Sequence, residues 1–268
     1  MPARALKMLI TQSAVGALIG KVPGVRAAYK NSVWRHPHFV KSYFGVYGSY
    51  AEAAAQAPKS WDVGWDNDKA FFSELAQPSF YASLYWLSRI LWPGSILVEF
   101  GGRYGGAYVA YTKREPFPVG AEWIVVDVPA VIGIAAGKSG VAQPSPLSFR
   151  TEFQSLPHID IFFSQGSIQY LDLDVRGLIG MITAQRPKHV LLNNFALTSR
   201  PGFWSLQHLG AAMAPNQIFN DREFLGAFAA AGYELRDRWE VAELNCQVPF
   251  EPARHVSAYA GLYLERAD

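Results

Sequence analysis

Four short runs of almost unbroken apolar residues constrain this chain more than any other feature. They lie at residues 96–100 (ILVEF), 123–128 (WIVVDV), 159–164 (IDIFFS) and 189–194 (HVLLNN). A strand with one face in water alternates apolar and polar residues. A strand covered on both faces does not, and helices supply the cover. The runs are separated by segments long enough to be helices, so the pattern predicts a parallel sheet with helices on both sides. Leu147-Ser148-Phe149 adds a further short strand. Residues 233–241 and 257–265 do alternate, and no helical pattern separates them, so they are expected to pair antiparallel. The predicted fold class is therefore α/β: a Rossmann-like sheet, mostly parallel, finished by an antiparallel C-terminal strand pair.

Residues 1–90 read differently. Leu84, Leu87 and Leu91, with Tyr85, Ser88 and Ile90 beside them, fall at helical spacing, and Phe71, Phe72 and Leu75 precede them across the break at Pro78. The turn-rich stretch from Trp61 to Asp68 reads as a loop, and Gly64-Trp65-Asp66 within it as a candidate lid. The expected organisation is a helical extension over 1–90 and one α/β domain over 91–268.

A chain of 268 residues that is 50% hydrophobic and 17% charged can bury a large core. Its 14% aromatic content reads first as aromatic core and second as a pocket wall for a flat or sugar-like ligand. Cys246 is the only cysteine, which excludes a disulfide framework and a multi-cysteine zinc site and makes a reducing cytoplasm the expected compartment. No run reaches the roughly 18 to 20 apolar residues that cross a bilayer.

The net charge of +2 conceals an asymmetry. Seven of the 24 basic residues precede Glu52, the first acid, leaving 17 basic against 22 acidic residues after it. An acidic body argues against nucleic acid as a partner. The basic N-terminus is a candidate for peripheral contact with anionic lipid. Met8-Leu9-Ile10 and residues 14–19 resemble a signal peptide, but Thr11, Gln12 and Ser13 interrupt them, and a helical extension is the expected form.

The chemistry-bearing motif is Glu99-Phe100-Gly101-Gly102-Arg103-Tyr104-Gly105-Gly106, a strand end running into a glycine-rich turn with a helix expected after it. Glycines at Gly101, Gly102 and Gly105 allow a sharp turn and the close approach of a ligand. The first amides of the following helix suit a carboxylate or a phosphate. Glu99 is placed to meet an ammonium group, and S-adenosylmethionine carries both an ammonium and a carboxylate. Asp127, followed by Val128, ends the next strand, where a carboxylate can accept both hydroxyls of a ribose. The same residues admit a tight structural turn with Asp127 as a helix cap. They also admit NAD, although the spacing is GGRYGG rather than GxGxxG.

These stretches resemble a family of class I S-adenosylmethionine-dependent methyltransferases of surface-polysaccharide and natural-product pathways. The similarity rests on Gly64-Trp65-Asp66-Asn67, VEFGGRYGG, VVDVPA, SQGSIQYL from Ser164, LQHLG from Leu206, QIFN from Gln217, AGYEL from Ala231 and YAGLY from Tyr259. It spans roughly residues 60–265 and implies the class I methyltransferase form of the predicted sheet, with S-adenosylmethionine as cofactor. The family often carries Thr-Pro after the fifth strand, where this chain has Phe195-Ala196-Leu197-Thr198. The loop there borders the expected acceptor side, so the departure bears on substrate choice.

Acceptor residues are expected from loops at the strands' C-terminal ends, at residues 164–170 and 193–208. Ser164, Gln165 and Gly166 are candidates for the adenosine end, and Gln169 and Tyr170 for the acceptor, with a capped helix start as the structural alternative. His208 is the candidate base, because neutral imidazole can take a hydroxyl proton near neutral pH. His36-Pro37-His38 lacks nearby acids, so no metal is expected. The expected function is methyl transfer to a hydroxyl, or secondarily an amine, of a small molecule or glycan. An NAD-dependent oxidoreductase and a non-catalytic methyltransferase-like binding module are the alternatives.

Overall fold

The computed structural model describes residues 13–33, 42–57, 78–138, 146–153, 156, 158–209 and 213–267. The chain divides into two compact units, each assembled from separate segments. One comprises Met1–Asn67, Ala196–Asp221 and Ala242–Tyr259; the other comprises Asp68–Phe195, Arg222–Val241 and Ala260–Asp268. The Gly64-Trp65-Asp66 lid, the Phe71–Leu75 helix, His36, His38 and Met8-Leu9-Ile10 lie outside the described residues.

In chain order, the first unit supplies α1 (Ala14–Ile19), α2 (Val25–Val33), β1 (Tyr43–Tyr47) and α3 (Tyr50–Ala54). The second supplies α4 (Tyr81–Ile90), β2 (Ile96–Phe100), α5 (Gly106–Thr112), β3 (Glu122–Val126), α6 (Pro129–Lys138), β4 (Leu147–Arg150), β5 (Ile161–Gln165), α7 (Val175–Thr183) and β6 (His189–Phe195). The first then adds β7 (Leu197–Thr198), β8 (Phe203–His208) and β9 (Met213–Asn220). Helix α8 (Asp221–Ala230), β10 (Tyr233–Val241) and β11 (Tyr259–Arg266) complete the chain.

The apolar runs become β2, β3, β5 and β6, and the short candidate becomes β4. They form a seven-stranded sheet in the order β10-β11-β6-β5-β2-β3-β4. Strands β2 to β6 pair in parallel, and β11 runs antiparallel to β6. This is the Rossmann-like sheet, mostly parallel and finished by an antiparallel C-terminal strand, expected from the sequence. Register sets which side chains share a face: Leu97 pairs with both Trp123 and Ile161. With Val125, Phe163, Leu191 and Tyr263, these residues pack against Leu84 and Leu87 of α4 and Tyr108 and Tyr111 of α5. Residues such as Trp123 and Leu87, wholly removed from water, contribute about 1.5–3 kcal/mol each. Helix α4 shows why its sequence is helical: Leu84, Leu87 and Ile90 are buried while Tyr81 and Tyr85 stay exposed, and Pro93 follows its end. On the opposite sheet face, Phe100 packs against Phe153 and Phe162.

The first unit holds a separate four-stranded sheet in the order β1-β8-β9-β7, which no periodicity announced. Two expectations change here. Residues 43–47 form a strand within the stretch read as helical, because the β-favouring sequence YFGVY pairs antiparallel with β8. Residues 197–198 and 203–208 are strands rather than open loop, and every residue of β8 is buried. Pro215 in β9 lies opposite Leu206, where β7 does not reach, since β7 pairs only with Phe219 and Asn220. A missing N–H therefore costs no ladder bond on that side. Leu206 and Met213 form the core of this unit with Tyr29, Phe44, Tyr47 and Ala57. Cys246 is buried in the same unit, and burial holds its thiol neutral. Among the described residues, no helix is long and apolar enough to cross a membrane, and no three potential metal ligands cluster.

Candidate functional site

Beyond Phe100 the backbone enters the left-handed region three times, at Gly101 (φ 73°), Arg103 (φ 54°) and Gly105 (φ 76°), before α5 begins. A Cβ on Gly101 would lie 2.0 Å from Ser167 Oγ, and one on Gly102 would lie 2.5 Å from Glu99 Cδ. Only glycine fits both positions without displacing a neighbour. The turn is tied to the loop after β5 by two hydroxyls. Ser164 Oγ donates to the Phe100 carbonyl (3.1 Å) and Ser167 Oγ to the Gly101 carbonyl (3.3 Å).

Glu99 is 4% exposed and accepts one hydrogen bond, from Trp123 Nε1 at 2.8 Å. Burial raises its pKa from 4.5 to about 8; the indole donor opposes the rise and nearby Asp127 adds to it. An acid so far from water favours either a proton or a cation at its free lone pairs. Asp127 is tied to the same turn, with Oδ2 accepting from Arg103 N (2.8 Å) and Oδ1 from Val128 N (2.8 Å). Burial raises its pKa, and those two amides hold it down. Each oxygen keeps a further lone pair, so two more donors can be accepted. Val128 offers a partly exposed side chain at 38%. The ring of Phe100 is spent on packing and the hydroxyl of Ser164 on the Phe100 carbonyl, so these two residues present backbone to the turn.

The C-terminal ends of β5 and β6 bring together a second group. Gln165 pairs with Asn193 in the sheet, and Gly166 N donates to the Asn193 carbonyl (2.8 Å). Gln169 Nε2 donates to the Asn194 carbonyl (3.3 Å), and Tyr170 closes the short turn through its amide to Ser167 O (3.2 Å). The Asn193 amide is engaged at both ends, donating to Ser79 O (2.7 Å) and accepting from Trp239 Nε1 (3.1 Å). By contrast, Gln165 Oε1, Gln169 Oε1 and Asn194 Oδ1 are buried without a hydrogen-bond partner among the described residues. Three orphaned acceptors in one place are unusual, because burying an unpaired polar atom costs about 1–3 kcal/mol.

His208 belongs to the other unit. It ends β8 at 2% exposure, its backbone N donates to Ser42 O (2.9 Å), and burial lowers the imidazole pKa, keeping it neutral near pH 7. Sequence reasoning missed Trp123, and it gave Ser167 and Asn194 no binding role of their own although both lie in the loops expected to supply acceptor residues. Trp123 read only as strand core, and nothing local marked its indole as the donor to Glu99. Asn194 adopts φ 62°, and asparagine tolerates that region better than most residues, the single signal available.

No family model matches the sequence, and no curated protein matches it. Several of the solved structures that resemble the chain are methyltransferases that use S-adenosylmethionine. Magnesium protoporphyrin IX methyltransferase from Synechocystis PCC 6803, with bound S-adenosylmethionine, is 14% identical with a TM-score of 0.47, covering 70% of this chain and 77% of that one. The 1,6-didemethyltoxoflavin-N1-methyltransferase of Burkholderia thailandensis is 16% identical with a TM-score of 0.45, covering 72% and 92%. An S-adenosylmethionine-dependent methyltransferase from Mesorhizobium loti is 13% identical with a TM-score of 0.48, covering 70% and 98%.

Proposed function

We propose that this chain is an S-adenosylmethionine-dependent methyltransferase acting on a hydroxyl, with an amine as second choice, of a small molecule or glycan. The observation that carries the reading is Glu99, a buried acid with no cationic partner among the described residues, set against a turn that tolerates no side chain at Gly101 or Gly102. When bound, S-adenosylmethionine supplies a methyl group on a positively charged sulfur that an acceptor lone pair can displace in one step.

The chain's own residues then have distinct tasks. Glu99 receives the ammonium group, which replaces the proton that burial otherwise favours. The backbone of Phe100, Gly101, Gly102 and Gly105 forms the close wall of the cofactor site. Asp127, beside Val128, uses its remaining lone pairs for the ribose hydroxyls. The loop from Ser164 through Gly166 borders the adenosine. The orphaned oxygens of Gln165, Gln169 and Asn194 favour an acceptor rich in O–H or N–H donors, with Tyr170 beside them. Orientation by such contacts is the main requirement of an in-line displacement. His208, neutral near pH 7, is the proposed base. The lone buried thiol fits a reducing cytoplasm, and the basic N-terminus remains our candidate for anionic-lipid contact. The proposed cofactor contacts, Glu99 to Gly105, Asp127, Val128 and Ser164 to Gly166, all fall within the unit that comprises Asp68–Phe195, Arg222–Val241 and Ala260–Asp268, rather than in a domain bounded at residue 91.

Calorimetric titration with S-adenosylhomocysteine should show saturable binding, and Asp127→Ala should weaken it by about 1–3 kcal/mol. Stabilisation by NADH with no response to S-adenosylhomocysteine would overturn the proposal. Once an acceptor is in hand, His208→Ala should lower turnover by roughly 10²-fold at saturating acceptor without altering S-adenosylhomocysteine affinity. Unchanged turnover removes His208 from the reaction.

A further inference from the structure

In the unit that contains α1 to α3, a cavity of about 360 Å³ is lined chiefly by Arg26, Lys30, Phe44, Tyr47, Gln56 and Phe250. No acidic side chain is among its described walls. Arg26 and Lys30 stand one turn apart on α2, and their charges are balanced differently. Arg26 is matched: its Nη2 lies 2.8 Å from Glu251 Oε1, and its Nε donates to the Gly20 carbonyl at 2.9 Å. Among the described residues, the partners of Lys30 are neutral. Its Nζ donates to Gln56 Oε1 (3.0 Å) and stands 5.9 Å from the centre of the Phe44 ring. Burial lowers the pKa of this ammonium, since a partly desolvated cation without a counter-ion is disfavoured.

The opposite wall supplies a second observation. Phe250 adopts φ 67°, a conformation that a bulky residue keeps only when its surroundings hold it there. Gly20 makes room for it, because a Cβ at that position would lie 2.6 Å from Phe250 Cβ. Tyr29 packs edge-on against the ring at 5.3 Å, and the Arg26 guanidinium sits 5.6 Å from its centre. Backbone strain of this kind concentrates where a side chain must be presented to a ligand. The cavity size falls in the range of small-molecule sites.

We propose that this cavity binds a small organic monoanion with an aromatic body, of which an aromatic carboxylate is the simplest example. Lys30 meets the carboxylate, and Phe44 and Phe250 flank the ring. One cation with no counter-ion among the described residues calls for one negative charge, and two aromatic walls call for a flat apolar body. The inference is independent of methyl transfer.

The test is calorimetric titration of the full chain, at low salt, with benzoate, with its uncharged analogue benzamide and with inorganic phosphate. Benzoate should saturate one site, and benzamide should bind at least about tenfold more weakly. Lys30→Met should weaken benzoate by about tenfold or more, while Lys30→Arg retains most of the affinity. Equal binding of benzamide, an unaffected Lys30→Met, or no saturation by millimolar benzoate would each overturn the proposal. Phosphate binding as tightly as benzoate would overturn the aromatic part of it. If Lys30→Met does not fold, the ratio of benzoate to benzamide affinity on the unaltered chain decides.

Discussion

Replacing Glu99 with glutamine is expected to move stability and cofactor affinity in opposite directions. The carboxyl is buried, and its pKa stands near 8 against an ordinary 4.5. A raised acid pKa means that the folded state holds the proton longer than the unfolded state does. Its contribution to stability is therefore complete below about pH 4.5 and is lost as pH rises towards 8. The ligand-free protein should melt at progressively lower temperature across that window. Glu99→Gln, neutral and able to keep an acceptor for the Trp123 indole, should flatten the trend and melt higher than the parent at pH 8. Binding should respond the other way. An ammonium that displaces the Glu99 proton makes S-adenosylhomocysteine affinity rise from pH 6 to pH 8, with proton release visible as a buffer-dependent heat. Glu99→Gln should remove that dependence and weaken binding at pH 8 by about 1.5–3 kcal/mol, the usual worth of a hydrogen bond to a charged group. Parallel pH profiles for the two proteins would show that Glu99 does not hold the ammonium.

Gly101→Ala is expected to be the most damaging single methyl group in the site. Its backbone lies at φ 73°, and the added carbon would fall 2.0 Å from Ser167 Oγ and 2.3 Å from Ser167 Cβ. Left-handed strain and the clash together should cost about 1–3 kcal/mol of stability. They should also break the Ser167 bond to the Gly101 carbonyl that ties the two loops. S-adenosylhomocysteine affinity should fall by more than about tenfold, or roughly 1.4 kcal/mol. Gly106→Ala is the control, since a Cβ there meets nothing within 4 Å and the residue begins α5. It should be neutral or slightly stabilising. Equal behaviour of the two variants, read as melting temperature and affinity, would mean that Gly101 does not shape the site.

Much of the proposed cofactor side was legible because it lies along one short stretch. Glu99, Gly101 and Gly102 are neighbours in sequence, and a strand followed by glycines has few structural readings. Asp127 was visible as the next strand's end, although its bond to Arg103 N was not. The proposed acceptor side was less legible. Gln169 and Asn194 are 25 residues apart, and nothing local says that one donates to the other's carbonyl or that their side-chain oxygens lack partners. The strand at residues 43–47 was missed because its partner β8 lies 160 residues further on. A five-residue segment takes its state from that partner more than from its own propensity.

By itself the sequence determined the seven-stranded sheet and its glycine turn. Burial on both faces writes a continuous apolar run into each parallel strand, and a turn that passes through the left-handed region beside a packed side chain admits only glycine. Tertiary structure alone decided the second sheet, the charge state of Glu99 and the unmatched charge of Lys30. Each of these depends on how much water is removed, and by which distant residues. Desolvation is a property of the assembled surroundings, which no stretch of sequence carries within itself.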